Sequence, residues 1–517
     1  MGLFSESVSQ YKSTWYEIAR NLFRSRNTQR VRAERLAEQN RELKSLNGRL
    51  AEQLREADEL QEQTQQRLHQ QQQEIETLRR QPIKLPSDLP LPHHTHGPKM
   101  ISLCLNLCKE VGFRPAKTML CIVFDWLGIE ASIPSFDAIR VWACRAGVAQ
   151  LQSPIEGDDW IWLVDHSNQI GQEKVLQIIG IRVRDLPPLG ETLPLGKMQV
   201  LATIPGTSWA RDDVRREYQK LAERIGPPKY LLTDGAVELR ESADVLEIEG
   251  EKPIVLRDMK HYAANVFEQL LGKDERFQEY LSKLGRTRSA VQQTELGHFT
   301  PPPQKPKARF MNLGSTLRWG HMVSYHLSNH RSKSRQGIAA QRMNDKLGWV
   351  RDFRDELAIW NRCEQVMQAS LSFVNRHGVY RGAAAKLKAA LDRVRAEHPP
   401  DCELSATMAA KLLAFVEDSE ALLGAGDRAW LSTENLESLF GRYKCLEGQH
   451  SKGGFTSLLA AMPMLLTNWT PARVRESLTK VSVKEMKQWV QDHLGTTLTS
   501  RRVTAYQESA AASYGYP

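Results

Sequence analysis

No run of apolar residues in this 517-residue chain approaches the length of a membrane span, and its first residues carry no secretory leader pattern. No membrane partner is expected. Cysteine is sparse: seven residues, odd in number and scattered, which excludes a disulfide-stapled secreted scaffold and reads as a reduced, soluble, intracellular chain. Cys104 and Cys108 are followed by no Cys or His pair at finger spacing, so both are expected in a core rather than on zinc. Charge of one sign is not dominant either. Against 61 Asp and Glu stand 70 Lys and Arg, a net +9 that leans mildly toward a polyanionic partner. The length exceeds one ordinary core, and two to four structural units are expected.

From Asn27 to Arg80 proline and aromatics are missing and Gly48 is the single glycine, while Glu, Gln, Arg and Leu fill the segment. Nothing there interrupts a helix, so one long exposed helix is expected. Leu36, Leu43, Leu50, Ala57 and Leu78 share one heptad position, and Ala33, Asn40, Asn47, Leu54, Leu68 and Ile75 share the other, with Thr64 and Gln71 polar in the second half. Core asparagines in a heptad favour two strands, so residues 1–81 read as a coiled coil that makes a homodimer or higher oligomer.

Prolines between Gln81 and Pro92 end that helix and make 82–99 a spacer. His93, His94 and His96 within it lack the spacing of a closed metal site. Residues 100–152 read as three helices. Phe124 to Gly128 followed by Ile133 to Gly147 resembles a helix-turn-helix: a glycine-bearing turn, Ser135 as cap, and Arg140 and Arg145 on a last helix expected to enter a major groove.

Strand character starts with Trp160-Ile-Trp-Leu-Val-Asp165 and continues in Val175–Val183 and Met198–Ile204, an expected antiparallel meander. A helix over Asp212–Ile225, a fourth strand over Lys229–Thr233 and a short fifth at Pro253–Leu256 follow. Beyond His261 the pattern is helical, with helices expected near Asp345–His377, Tyr380–Glu397 and Ser405–Leu423, and a basic proline-rich loop at Thr300–Arg309. Asp165 and Asp234 each end a buried apolar strand, which delivers a carboxylate to a sheet edge where ligands collect. Glu437 follows a Ser/Thr cap on a helix far downstream, and Glu434 stands one turn before it.

Four elements thus recur in order: Val164-Asp165, Thr233-Asp234-Gly235-Ala236, Asp258-Met-Lys-His261, and Glu437-Ser-Leu-Phe-Gly441. On these the chain resembles the DDE transposases, RNase H-like enzymes that cut and rejoin mobile DNA. The hAT and Mutator-like groups show the Asp-x-x-His element and a glutamate displaced by a helical insertion. Glu437 with Lys444 also matches the Glu-x6-Lys spacing of several bacterial insertion-sequence transposases, with Trp430 and Thr433 standing where those enzymes carry tyrosine and arginine.

The resemblance spans about 100–470 and implies an α/β fold: an RNase H-like mixed sheet core interrupted by a large all-helical insertion, preceded by the coiled coil and the helix-turn-helix-like unit. Its parts are the first part of the core at 153–270, the insertion at 271–428, the second part with the glutamate at 429–470, and a helical tail at 471–517. The implied catalytic and metal-binding residues are Asp165, Asp234 and Glu437, with Asp165 bridging two Mg2+ ions, for which Mn2+ substitutes.

Glu434 is the rival third ligand. His261 positions the scissile phosphate or braces the acids, with Asp258 beside it. Arg442 and Lys444, with His450 and Lys452, are expected along DNA, and Trp319 either stacks on an extruded base or fills helical core. The implied partners are element ends and target DNA, and the implied location is cytoplasmic and nucleoid-associated in a prokaryote. An inactive DNA-binding descendant and an RNase H-like nuclease are the alternative functions.

Overall fold

The structure, a computed structural model, describes residues 14–80, 88–154, 157–166, 173–248, 250–304, 309–311, 313–328, 338–396, 402–448, 455–496 and 498–513. His450, Lys452 and the middle of the basic loop, 305–308, lie outside them. The chain divides into two units, residues 1–84 with 125–130, and the remainder.

The proline-free segment of the first unit is one helix, α1 (Trp15–Arg80), 66 residues long. Leu36, Leu43, Leu50, Leu54, Leu68 and Ile75 are all exposed along it. An isolated helix gains little from burying its own side chains, so this apolar seam adds little to the stability of α1 by itself.

The second unit begins with α2 (Pro98–Val111), α3 (Phe113–Leu127) and α4 (Phe136–Gln152). Ser135 caps α4, its side chain accepting from Ala138 N at 3.1 Å. Every residue from Trp142 to Ala149 is buried, because α4 packs along the 3-10 segment Ser457–Leu466. Gly147 permits that approach: a Cβ there would lie 2.0 Å from the carbonyl oxygen of Ala460. The stretch of α4 from Trp142 to Ala149 is thus enclosed by its own chain, while Asp137 and Arg140 in its first turns stay partly exposed.

The sheet follows: β1 (Trp160–Asp165), β2 (Lys174–Arg182), β3 (Gln199–Gly206), helix α5 (Arg211–Ile225), β4 (Tyr230–Thr233), the short α6 (Val237–Glu241) and β5 (Ile254–Arg257). The strand order is β3-β2-β1-β4-β5. Antiparallel pairing joins β1, β2 and β3, and parallel pairing joins β1 to β4 and β4 to β5. Central β1 is flanked on both sides, which is why its sequence is almost continuously apolar.

Trp160, Trp162 and Val164 alternate onto one face and pack with Val214, Tyr218, Leu221 and Ile225 of α5. Trp162 meets Tyr218 edge-on, with ring centroids 6.3 Å apart. Burial of such side chains stabilises by roughly 1.5–3 kcal/mol each.

Beyond the sheet the elements are α7 (Met259–Leu271), α8 (Glu275–Val291), α9 (Leu313–Ser328), α10 (Ile338–Leu347), α11 (Arg354–His377), β6 (Val379–Tyr380), α12 (Ala383–Ala396), α13 (Glu403–Ala421), β7 (Arg428–Ala429), α14 (Glu434–Gly448), α15 (Pro471–Lys480), α16 (Val483–Leu494) and α17 (Leu498–Ser513). The antiparallel pair β6–β7 closes the long helical stretch just before α14. That closure returns the chain to the sheet, where α14 packs on β1. Trp319 is core: it is buried, and its Nε1 donates to Phe299 O at 2.8 Å.

Candidate active site

Parallel strands β1 and β4 are in register as Val164 opposite Thr233, so the next residue of each, Asp165 and Asp234, leaves the same end of the sheet. After Asp234 the chain turns at once. Gly235 holds φ +98°, a conformation that L side chains rarely adopt, and Asp234 Oδ1 accepts from Ala236 N at 2.8 Å. A Cβ at Gly235 would also lie 2.8 Å from Nε of Arg257. That nitrogen is enclosed without a hydrogen-bond partner, and the guanidinium lies 5.6 Å from the ring centroid of Tyr262.

Asp258 ties the site together. It is buried, caps α7, and accepts four hydrogen bonds: from His261 N at 2.8 Å, His261 Nδ1 at 2.9 Å, Thr433 N at 2.7 Å and Thr433 Oγ1 at 2.9 Å. Its own N donates to Thr233 O at 2.8 Å, and Met259 N donates to Leu431 O at 2.9 Å. One carboxylate therefore fixes the end of β4, the start of α7 and the approach to α14, segments up to 175 residues apart in sequence. Burial works against ionisation of Asp258, but the His261 and Thr433 bonds hold its pKa below the ordinary carboxylate value. Burial likewise opposes charge on His261, and the Asp258 bond with the fields of Asp258, Asp234 and Asp165 outweighs it, raising the imidazole pKa.

Asp165 shows what the acids do to one another. Its pKa is pushed up to about 6, first by burial and then by the charge of Asp234, with Glu437 adding to the rise while His166 and His261 oppose it. Glu437, in the first turn of α14, has Oε2 2.7 Å from Nζ of Lys260 on α7. Glu434, one turn earlier, accepts from Asn375 Nδ2 of α11 at 2.8 Å. Among the described residues, no group of three or more His, Cys, Asp or Glu lies close enough to hold one metal ion. Asp165, Asp234 and Glu437 carry the oxygen donors that a hard divalent cation prefers, but they do not form such a group in this arrangement. In this arrangement, however, Glu437 is paired with Lys260.

Two of these partners were missed in the sequence. His166 directly follows Asp165, and its Nε2 lies 2.6 Å from Oε1 of Glu238 on α6. Lys260 sits inside the Asp-x-x-His element. Their adjacency to expected site residues was the available signal. The four expected DNA contacts separate. Lys444 is exposed. Arg442 Nη1 lies 3.1 Å from Glu110 Oε1, and Arg140 Nη2 lies 3.4 Å from Asp137 Oδ1.

Arg145 is buried, its Nε and Nη2 each donating at 2.7 Å, to Val481 O and Leu478 O, and its Nη1 lying 3.1 Å from His94 Nε2. Reading Arg145 as a groove contact is corrected by this burial: the side chain caps the end of α15. Arg145→Met strands both carbonyls and lowers stability by about 2 kcal/mol, measured by urea unfolding, while leaving duplex affinity unchanged.

No family model matches the chain. No curated protein matches it either. A solved structure described as the Drosophila P element transposase strand transfer complex aligns over 75% of this chain and 92% of its own, at 12% identity and a TM-score of 0.36. That likeness decides nothing about this site, whose reading rests on its own side chains. No described helix is long and apolar enough to cross a membrane.

Proposed function

We propose that the chain is a metal-dependent DNA transposase with an RNase H-like core, the long helical stretch inserted before its third acid, and α1 joining two copies. The observation that carries the reading is the pair Asp165 and Asp234 on adjacent parallel strand ends, with Glu437 of a distant helix contributing to the same field. A β3-β2-β1-β4-β5 sheet, antiparallel in its first three strands and parallel in its last two, supports the RNase H-like core.

Asp165, Asp234 and Glu437 would hold Mg2+, or Mn2+ in its place. Bound divalent ions supply charge stabilisation to the attacking and leaving oxygens of a phosphodiester. The chain's own residues prepare that step. Asp258 fixes His261 and the approach to α14. Lys260 holds Glu437 in this arrangement and would have to release it for a cation to bind. Arg257, beside the Asp234 turn, offers a guanidinium to a phosphate oxygen. Glu437 rather than Glu434 is the favoured third acid, because Glu437 acts on Asp165 while Glu434 is bonded to Asn375. The Lys260–Glu437 pairing favours a second reading, a DNA-binding descendant without chemistry.

End-mapped cleavage and strand transfer on DNA carrying the gene's own flanks, with Mg2+, separates these readings. Cutting and joining by the wild type, lost in both Asp234→Ala and Glu437→Ala, is the expected result. Cutting without joining indicates a nuclease, and binding without cutting indicates the inactive descendant. Activity retained in Glu437→Ala but lost in Glu434→Ala moves the third acid to Glu434.

A further inference from the structure

The last turn of α11 and one face of α12 border a groove of about 410 Å³ that none of the residues above uses. Arg376, His377, Lys386 and Arg393 line it, and the rest of the lining is Ser372, Phe373 and three alanines, so among the described residues no carboxylate lines it. Arg376, Lys386 and Arg393 are exposed. His377 packs at a tilt against Phe373 with ring centroids 4.8 Å apart, and its Nδ1 is enclosed without a hydrogen-bond partner. Burial, with Lys386, Arg428 and Arg376 around it, lowers the His377 pKa.

Helix α11 is also tied to the acidic site, since Asn375, the residue before Arg376, donates to Glu434 at the start of α14. Basic residues at helix C-termini often serve only the helix dipole. That accounts for Arg376 and His377 on α11 and for Arg393 in the last turn of α12, but not for Lys386, which lines the groove from the first turn of α12, where a cation opposes the dipole.

We infer that the α11–α12 groove is a second nucleic-acid site, binding the phosphodiester backbone of DNA that extends away from the acids through Arg376, Lys386 and Arg393. The choice of polyanion rests on the function proposed above. Three cations with no carboxylate among the described lining residues suit a row of phosphates, and small alanines let a backbone approach closely.

The test measures binding of the full-length protein to a fluorescein-labelled duplex by anisotropy over a series of salt concentrations. Wild type is compared with the double variant Lys386→Gln/Arg393→Gln and with the charge-matched control Lys484→Gln/Lys487→Gln on α16. The expected result is a groove variant about 10-fold or more weaker at low salt, with a salt slope shallower by about 1 to 2, and a control close to wild type. Native-like thermal melts of both variants exclude misfolding as the cause. A groove variant indistinguishable from the control overturns the groove and leaves the proposed chemistry standing. Wild type that binds no duplex at low salt overturns the groove and the DNA reading together. Inorganic phosphate that competes at low millimolar concentration, well below its ionic-strength effect, overturns the backbone assignment in favour of a small-anion pocket.

Discussion

Asp258→Ala lowers the free energy of unfolding by about 3–5 kcal/mol, the largest stability loss expected from any single change at the site, and removes the proposed cleavage activity. The magnitude follows from what the substitution strands. Thr433 N and Oγ1, together with His261 N and Nδ1, all donate to this buried carboxylate, and alanine leaves four donors unmet. It also leaves His261 without the group that favours its charge. Asp258→Asn is no gentle substitute, because an amide keeps one accepting oxygen and turns two hydrogens toward existing donors.

The sign of the pH dependence is fixed by the direction of the shift. Asp258 is held below the ordinary carboxylate value, so its contribution is present above that value and is lost as pH falls through the folded pKa. Wild type therefore loses this contribution on acidification below about pH 4, and the alanine variant has none to lose. Urea unfolding at pH 7, followed by tryptophan fluorescence, measures the difference. A loss under about 1 kcal/mol would show that Thr433 and His261 find other partners and that the clamp is not structural.

Asp165→Asn behaves in the opposite way: it abolishes cleavage and stabilises the metal-free protein. Asp165 is pushed up to about 6 by burial, Asp234 and Glu437, so the fold disfavours its ionised form. Below the unfolded value near 4 both states are protonated and nothing is lost. Between about 4 and 6 the cost grows, and above 6 it is complete. Asparagine removes the charge and should raise stability by about 1–3 kcal/mol at pH 8, with little change at pH 4.

Thermal melts in EDTA at the two pH values read this directly, and a variant less stable than wild type at pH 8 would refute the account of a repulsive acidic cluster. Adding Mg2+ extends the test. Wild type is expected to gain thermal stability and Asp165→Asn to gain little, because relief of the repulsion requires the ligand that the substitution removes.

The sequence made strands and acids legible because both signals are local. Trp160–Asp165 is continuously apolar, as a strand buried on both faces must be, and a carboxylate at its end marks the sheet edge. The absence of breakers over 27–80 was enough to expect α1, and a single capping serine to expect the start of α4. What α4 does was not legible. Arg145 on a capped helix after a glycine-bearing turn has the local pattern of a DNA contact, yet a segment some 310 residues later, Ser457–Leu466, covers that helix. Burial by a distant segment leaves no trace in a helix's own periodicity. The same limit hid the partners of Glu437 and Glu434, since Lys260 and Asn375 come from helices 177 and 59 residues away.

The sequence by itself determined the long breaker-free helix, the order of strands and helices, and the placement of Asp165 and Asp234 at strand ends and of Glu437 on a late helix. Only the tertiary structure decided which of these residues act on one another. Parallel pairing of β1 with β4 puts Asp165 and Asp234 at one sheet end, and Asp258 fastens Thr433 so that α14 starts beside them. It also decided that Arg145 serves the interior and that α11 and α12 share a groove whose described lining carries four basic side chains. The physical reason is range. Propensity, capping and strand burial act over a few neighbours, whereas ion pairs, buried carboxylates and covered helix faces depend on segments that only the closed fold brings together.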